Sequence, residues 1–112
     1  MMTRMRPRAS DQAAEQAIVH LLVDGLTDIR ASAFIRNPVS HTPVVAGDYH
    51  EHIQMIASIC YFLPTAFRPG GWSARQTLQY VWSTSERLHR QWIDETLEKH
   101  DISIGEVLGF EV

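Results

Sequence analysis

Cysteine is almost missing from this chain. Cys60 stands alone in 112 residues, so no internal disulfide can form. A reduced, cytoplasmic setting is the natural expectation for such a protein. Cys60 lies in the apolar stretch MIASICYFL, residues 55–63, and is expected there as a small buried hydrophobe. Long hydrophobic runs are missing too. None approaches the roughly 20 residues that a membrane-spanning helix needs, so no membrane partner is expected. The opening MMTRMRPRAS is basic but has no apolar segment behind it, so no secretory signal is expected. There is no internal repeat and no low-complexity tract. Three common catalytic signatures are absent: the GxSxG nucleophile turn, the phosphate-cradling loop and the dinucleotide-binding glycine pattern.

A strong charge of either sign is also absent. The net charge is −3, too acidic for the chain as a whole to bind nucleic acid non-specifically. The distribution is uneven. Residues 1–9 carry Arg4, Arg6 and Arg8 and no acid, which leaves the remainder at −6. Residues 1–9 read as a flexible basic arm, and 10–112 as a single domain. The arm has two readings, a solubilising terminus or a tail that touches phosphate.

What is present is helical punctuation. From Ser10 to about Arg36 the apolar and small residues Ala14, Ile18, Leu21, Leu22, Gly25, Leu26, Ile29 and Ala33 share one broad helical face. Ser10 or Asp11 is the expected N-cap. Gly25 does not disturb the phase, so one long helix is preferred over two that meet at Gly25. Asn37-Pro38 ends it, because a residue before proline is pushed out of helical geometry. Residues 38–47 read as a loop. A second helix is expected from Asp48, with Glu51 completing a capping box, and Pro64 stops it. Its expected inner face is Tyr49, His52, Ile53, Ile56, Ile59, Cys60 and Leu63. The turn residues of RPGG, 68–71, follow. A third helix is expected from Ser73, boxed by Gln76, to about His100. Its apolar stripe runs through Leu78, Val81, Trp82, Ser85, Leu88, His89, Trp92 and Thr96. The tail DISIGEVLGFEV reads as a short helix capped by Ser103 or as a strand.

These elements predict an all-α fold: an antiparallel bundle of three main helices plus a short C-terminal element. Three helices enclose a thin core, so a homodimer is expected to complete it.

The histidines invite a metal reading, since Asp48 and His52 are four apart and His41 lies nearby. The caps already account for Asp48 and Glu51, and His50 points about 160° away from His52 on a helix. No HxxxH or HExxH pair exists, so no metal ligand set and no cofactor are expected. His89 falls on the apolar stripe and is expected in the core or an interface with its ring nitrogens satisfied. His20 and His100 read as solvated or terminal. The aromatics of YVWSTSERLHRQW beside Arg87 and Arg90 fit a core helix better than a clamp on single-stranded RNA.

One pattern remains. Arg36-Asn37-x3-His41 stands where the long first helix breaks. An always-charged, forked guanidinium suits a phosphate, and an imidazole that titrates near neutrality suits acid–base work. With nine arginines and six histidines an Arg-x4-His pair arises by chance about half the time, and the adjoining asparagine makes it roughly twenty-fold rarer. The stretch LLVDGLTDIRASAFIRNPVSHT, followed by DYHEHIQMIASICYFL, resembles the HEPN superfamily, small all-α domains found in many toxins and antiviral RNases. The likeness covers about residues 20–63. It implies metal-independent RNA cleavage at a site shared across a homodimer, in a toxin–antitoxin or phage-defence setting. It further implies that Arg36 binds the scissile phosphate, that His41 transfers a proton at the ribose 2′-OH or the leaving oxygen, and that Asn37 holds either by hydrogen bonds. The alternative is a non-enzymatic interaction protein: an antitoxin, a phage-encoded modulator or a bundle subunit. It would bind a protein partner through its aromatic helix and apolar tail.

Overall fold

Good helix formers and a continuous apolar phase give the longest element. In a computed structural model, which describes residues 9–33 and 49–109, α1 spans Ala9–Ala33 and runs through Gly25 without a break. It opens at Ala9, so Ser10 and Asp11 fall inside its first turn. Asp11 takes an ion pair from Arg75 at 3.3 Å. Four more helices follow: α2 (His50–Phe62), α3 (Ala74–Thr84), α4 (Arg87–Glu98) and α5 (Ile104–Leu108). Among the described residues there is no strand, only an isolated bridge between Thr65 and Arg68. None of these helices is long and apolar enough to cross a membrane.

α1 packs against each of the other four helices, so the core forms along it. Leu21, Ile59, Leu78, Ile93, Leu97 and Leu108 are all but completely buried. The expected apolar tail is α5, and its Ile104, Val107 and Leu108 are spent in this core rather than left for a partner. Gln79 ties it down, donating from Nε2 to the Leu108 carbonyl at 2.6 Å. Among the described residues five helices share one core, where three main helices and a short C-terminal element were expected.

The expected third helix is two helices. Ser83, Thr84 and Ser85 turn their hydroxyls back onto the carbonyls of Gln79, Tyr80 and Val81, at 2.7, 3.0 and 2.7 Å. Such back-bonding competes with the helical ladder, and three in succession end α3. Arg90 then holds the joint from the far side, its Nε donating to the Trp82 carbonyl at 2.8 Å. This arginine, with its guanidinium 5.3 Å from the Trp82 ring, serves the helix joint. The capping box of Ser73 and Gln76 forms as expected.

Two other expectations are corrected. Asp48 lies outside the described residues; the position before α2 falls on Tyr49, which supplies no side-chain cap. The inner face of α2 is His52, Met55 and Ile59, rotated from the expected one, so Cys60 is exposed and Ile53 half-exposed. Apolar residues cover most of the helix outside the stripe of Glu51, Gln54 and Ser58, so the sequence pattern fixed its phase poorly.

The turn before α3 makes a sharp prediction. Trp72 donates its N–H to the Phe62 carbonyl at 2.7 Å. A Cβ on Gly71 would overlap that carbonyl oxygen and sit 2.7 Å from the Pro64 nitrogen, whereas a Cβ on Gly70 meets nothing within 4 Å. Gly71→Ala is expected to cost about 2 kcal/mol, because backbone cannot yield as a side chain can, and Gly70→Ala to be near neutral. Paired thermal melts check this; equal melting temperatures for the two variants would refute it.

Candidate functional site

Three helix segments meet at one end of α2. Asp28 occupies the core-facing phase of α1, seven residues after Leu21. His52 lies in the first turn of α2, and His89 and Trp92 in the first half of α4. Asp28 Oδ2 accepts from His52 Nε2 at 3.3 Å and from Trp92 Nε1 at 3.2 Å. His52 Nδ1 lies 3.1 Å from His89 Nε2. His89 Nδ1 lies 3.2 Å from the Ser85 hydroxyl, with Glu51 Oε2 at 3.9 Å beyond. Carboxylate, imidazole, imidazole and hydroxyl thus form one unbroken chain. Both imidazoles are buried, at 5% and 4% exposure.

The Trp92 ring completes the cluster. Its centroid is 4.1 Å from that of His52, and it stacks nearly parallel on His89. Tyr49 meets His52 edge-on. These groups line an open cleft of about 500 Å³ with Glu51, Glu86 and Leu88. Burial, together with the neighbouring His52, lowers the His89 pKa from 6.5 to about 4, so His89 is neutral at pH 7. Three carboxylates and no Lys or Arg line the cleft. It can pass protons but is electrostatically hostile to phosphate.

Arg36, Asn37 and His41, the residues expected to carry chemistry, lie outside the described residues, as does Asp48. The sequence pattern groups His52 with Asp48 and His41 for a metal, but the His52 nitrogens face Asp28 and His89. Among the described residues no group of three or more His, Cys, Asp or Glu is placed to hold a metal ion. His50 is exposed. His89 has the satisfied ring expected of it. His20 and His100, expected as solvated or terminal, stack on each other at 3.6 Å, and His100 Nε2 reaches Asp24 at 3.3 Å. The turn after α4, with Asp101 in the left-handed region at φ 59°, folds His100 back onto α1.

Asp28 and Ser85 are the members that sequence reasoning missed. Each had a signal: Asp28 is an acid on the core phase of an apolar helix, and Ser85 ends a Ser-Thr-Ser run. Comparison of the chain with protein-family models, with curated proteins and with solved structures finds no match.

Proposed function

We propose that this protein is a HEPN-like, metal-independent endoribonuclease of the toxin–antitoxin or phage-defence type, acting in the cytoplasm as a homodimer. The observation that carries this reading is the sequence Arg36-Asn37-x3-His41 between two apolar helices. Arg36 holds the scissile phosphate. His41 moves a proton at the ribose 2′-OH as its oxygen attacks phosphorus, or at the 5′ oxygen as it leaves. Asn37 orients one or the other. The reaction yields a cyclic phosphate and a free 5′-OH, with no metal needed to balance it.

The fold around the motif supports the reading. Domains of that family have four or five helices, and this chain has five among its described residues. α1 runs unbroken to Ala33, three residues before Arg36, and packs on α2, which follows the motif. Because the described cleft repels phosphate, this reading assigns RNA contact to Arg36 and not to His52 or His89. The test is incubation with RNA in EDTA of the wild type, His41→Ala and Arg36→Ala. Cleavage is expected from the wild type alone. Cleavage that persists in both variants, or that requires a metal, sinks the proposal.

A second reading, a non-enzymatic interaction protein, draws on exposed apolar side chains. Val19, Val23 and Leu26 lie along one stripe of α1 and are each about half exposed. A purified protein that is inert toward RNA yet dimeric or partner-bound through this stripe would favour it.

A further inference from the structure

We propose that the chain Asp28–His52–His89–Ser85 is a proton-operated latch between α2 and α4, which absorbs one proton without moving and opens the cleft on the second. This device is independent of the proposed RNA cleavage, so each can fail alone.

The argument starts from donors and acceptors. With both imidazoles neutral, His52 Nε2–H donates to Asp28, leaving Nδ1 to accept from His89 Nε2–H. His89 Nδ1 then accepts from the Ser85 hydroxyl. Each nitrogen has one role and each bond is made. Now add one proton. His52 becomes an imidazolium and donates from both nitrogens, to Asp28 and to His89 Nε2. His89 switches tautomer and donates from Nδ1 to Ser85 Oγ, and the Ser85 hydroxyl turns to the Val81 carbonyl, 2.7 Å away. No heavy atom moves, because the same distances serve both states. Asp28 faces the new charge on one side, and Glu51 stands 3.9 Å from the relocated N–H on the other.

A second proton has no such solution. His52 Nδ1 and His89 Nε2 would both carry hydrogen at 3.1 Å, between two buried cations. The pair must part. α1 supplies Asp28, α2 supplies Glu51 with Tyr49 before it, and Glu86 precedes α4. These groups attract the two cations but none restores the lost hydrogen bond. The consequence is local. α2 and α4 have little backbone contact with each other, and the His52–His89 bond links them together with the Trp92 ring on His52. α4 stays anchored on α1 and α5 through Ile93 and Leu97, which are buried below 2%. The first turn of α4, with the already exposed Leu88, lifts together with the Ser83–Ser85 joint to which Arg90 ties it, and so uncovers Trp92.

The experiment uses the full chain with Trp72→Phe and Trp82→Phe, leaving Trp92 as reporter. Histidine nitrogen NMR, acrylamide quenching and far-ultraviolet circular dichroism are followed from pH 7.5 to 3.5. Two macroscopic protonation steps are expected. Quenching should not change in the first, and should rise about threefold in the second as a half-buried ring becomes exposed, with helix content retained. His89→Gln should stay closed. Glu51→Gln, which leaves both imidazoles in place but removes an attraction that holds His89 of α4 against α2 in the closed state, should move the opening about half a pH unit higher. Quenching that rises with the first proton, an opening that coincides with loss of all helix, or an unshifted opening in both variants overturns the proposal.

Discussion

Lowering the pH from 7 to 4 is expected to remove on the order of 3 kcal/mol of folding stability through His89 alone. His89 has its pKa lowered in the folded state, from 6.5 to about 4. Between those values the unfolded chain binds the proton and the folded chain does not. Stability is therefore complete above about pH 6.5 and is lost progressively as the pH falls toward 4. At 1.36 kcal/mol per pH unit, that interval gives the figure of about 3 kcal/mol. Domains of this size have a total stability of about 5–15 kcal/mol, so this is a substantial fraction. The latch sets the floor. Once α4 lifts, the released imidazole regains ordinary basicity and the loss levels off. Urea unfolding at half-unit pH steps measures the slope. His89→Gln should flatten it relative to the wild type, which separates this group from the Asp11–Arg75 and Asp24–His100 pairs. A wild-type urea midpoint that is constant from pH 7 to 4.5 would show that His89 is not buried neutral.

The second large effect is a contrast within one helix. Leu97→Ala is expected to cost about 2–5 kcal/mol, the sum of lost transfer energy and the cavity left behind. Leu88→Ala, nine residues earlier, should change stability by less than about 0.5 kcal/mol. The sequence alone argues otherwise. On one unbroken helix, Leu88 continues the stripe of Leu78, Val81 and Ser85. The break at Ser85 resets the phase. The buried face of α4 becomes His89, Ile93, Thr96 and Leu97, while Leu88 is 79% exposed. Equal losses for the two leucines would mean that the helix is continuous after all.

The phase errors at Leu88 and at Cys60 have different causes. Periodicity locates an apolar face well only when polar residues bound it; along α1 the expected face took in Leu26, which is half exposed, beside the buried Ala14, Ile18 and Leu21. In α2 the apolar arc is far wider than the buried face, so the helices that pack against it choose which part of that arc is inner. In the third segment the periodicity was correct on each side of the joint, but the joint itself is made by side-chain hydroxyls that periodicity does not register.

The acid–base cluster was partly legible. His89 on an apolar stripe implied a satisfied ring, and it is satisfied. Its partner was not foreseeable, because His52 lies 37 residues away in sequence and Asp28 a further 24. Hydrogen-bond networks of this kind join residues that only packing brings together. Arg36, Asn37 and His41 show the opposite case. Their pattern can be read in the sequence, and the function proposed for them rests on it.

The sequence by itself determined the all-helical class, the unbroken α1, the capping box at Ser73 and the stop at Pro64. Each follows from interactions within a few residues: propensity, capping and the steric limits of proline. Only the tertiary structure decided which faces are inner, how α5 closes the core, and that Asp28, His52, His89 and Ser85 form one chain. Those outcomes depend on the competition of five helices for the same apolar surface and on hydrogen bonds between distant residues, which no local rule contains.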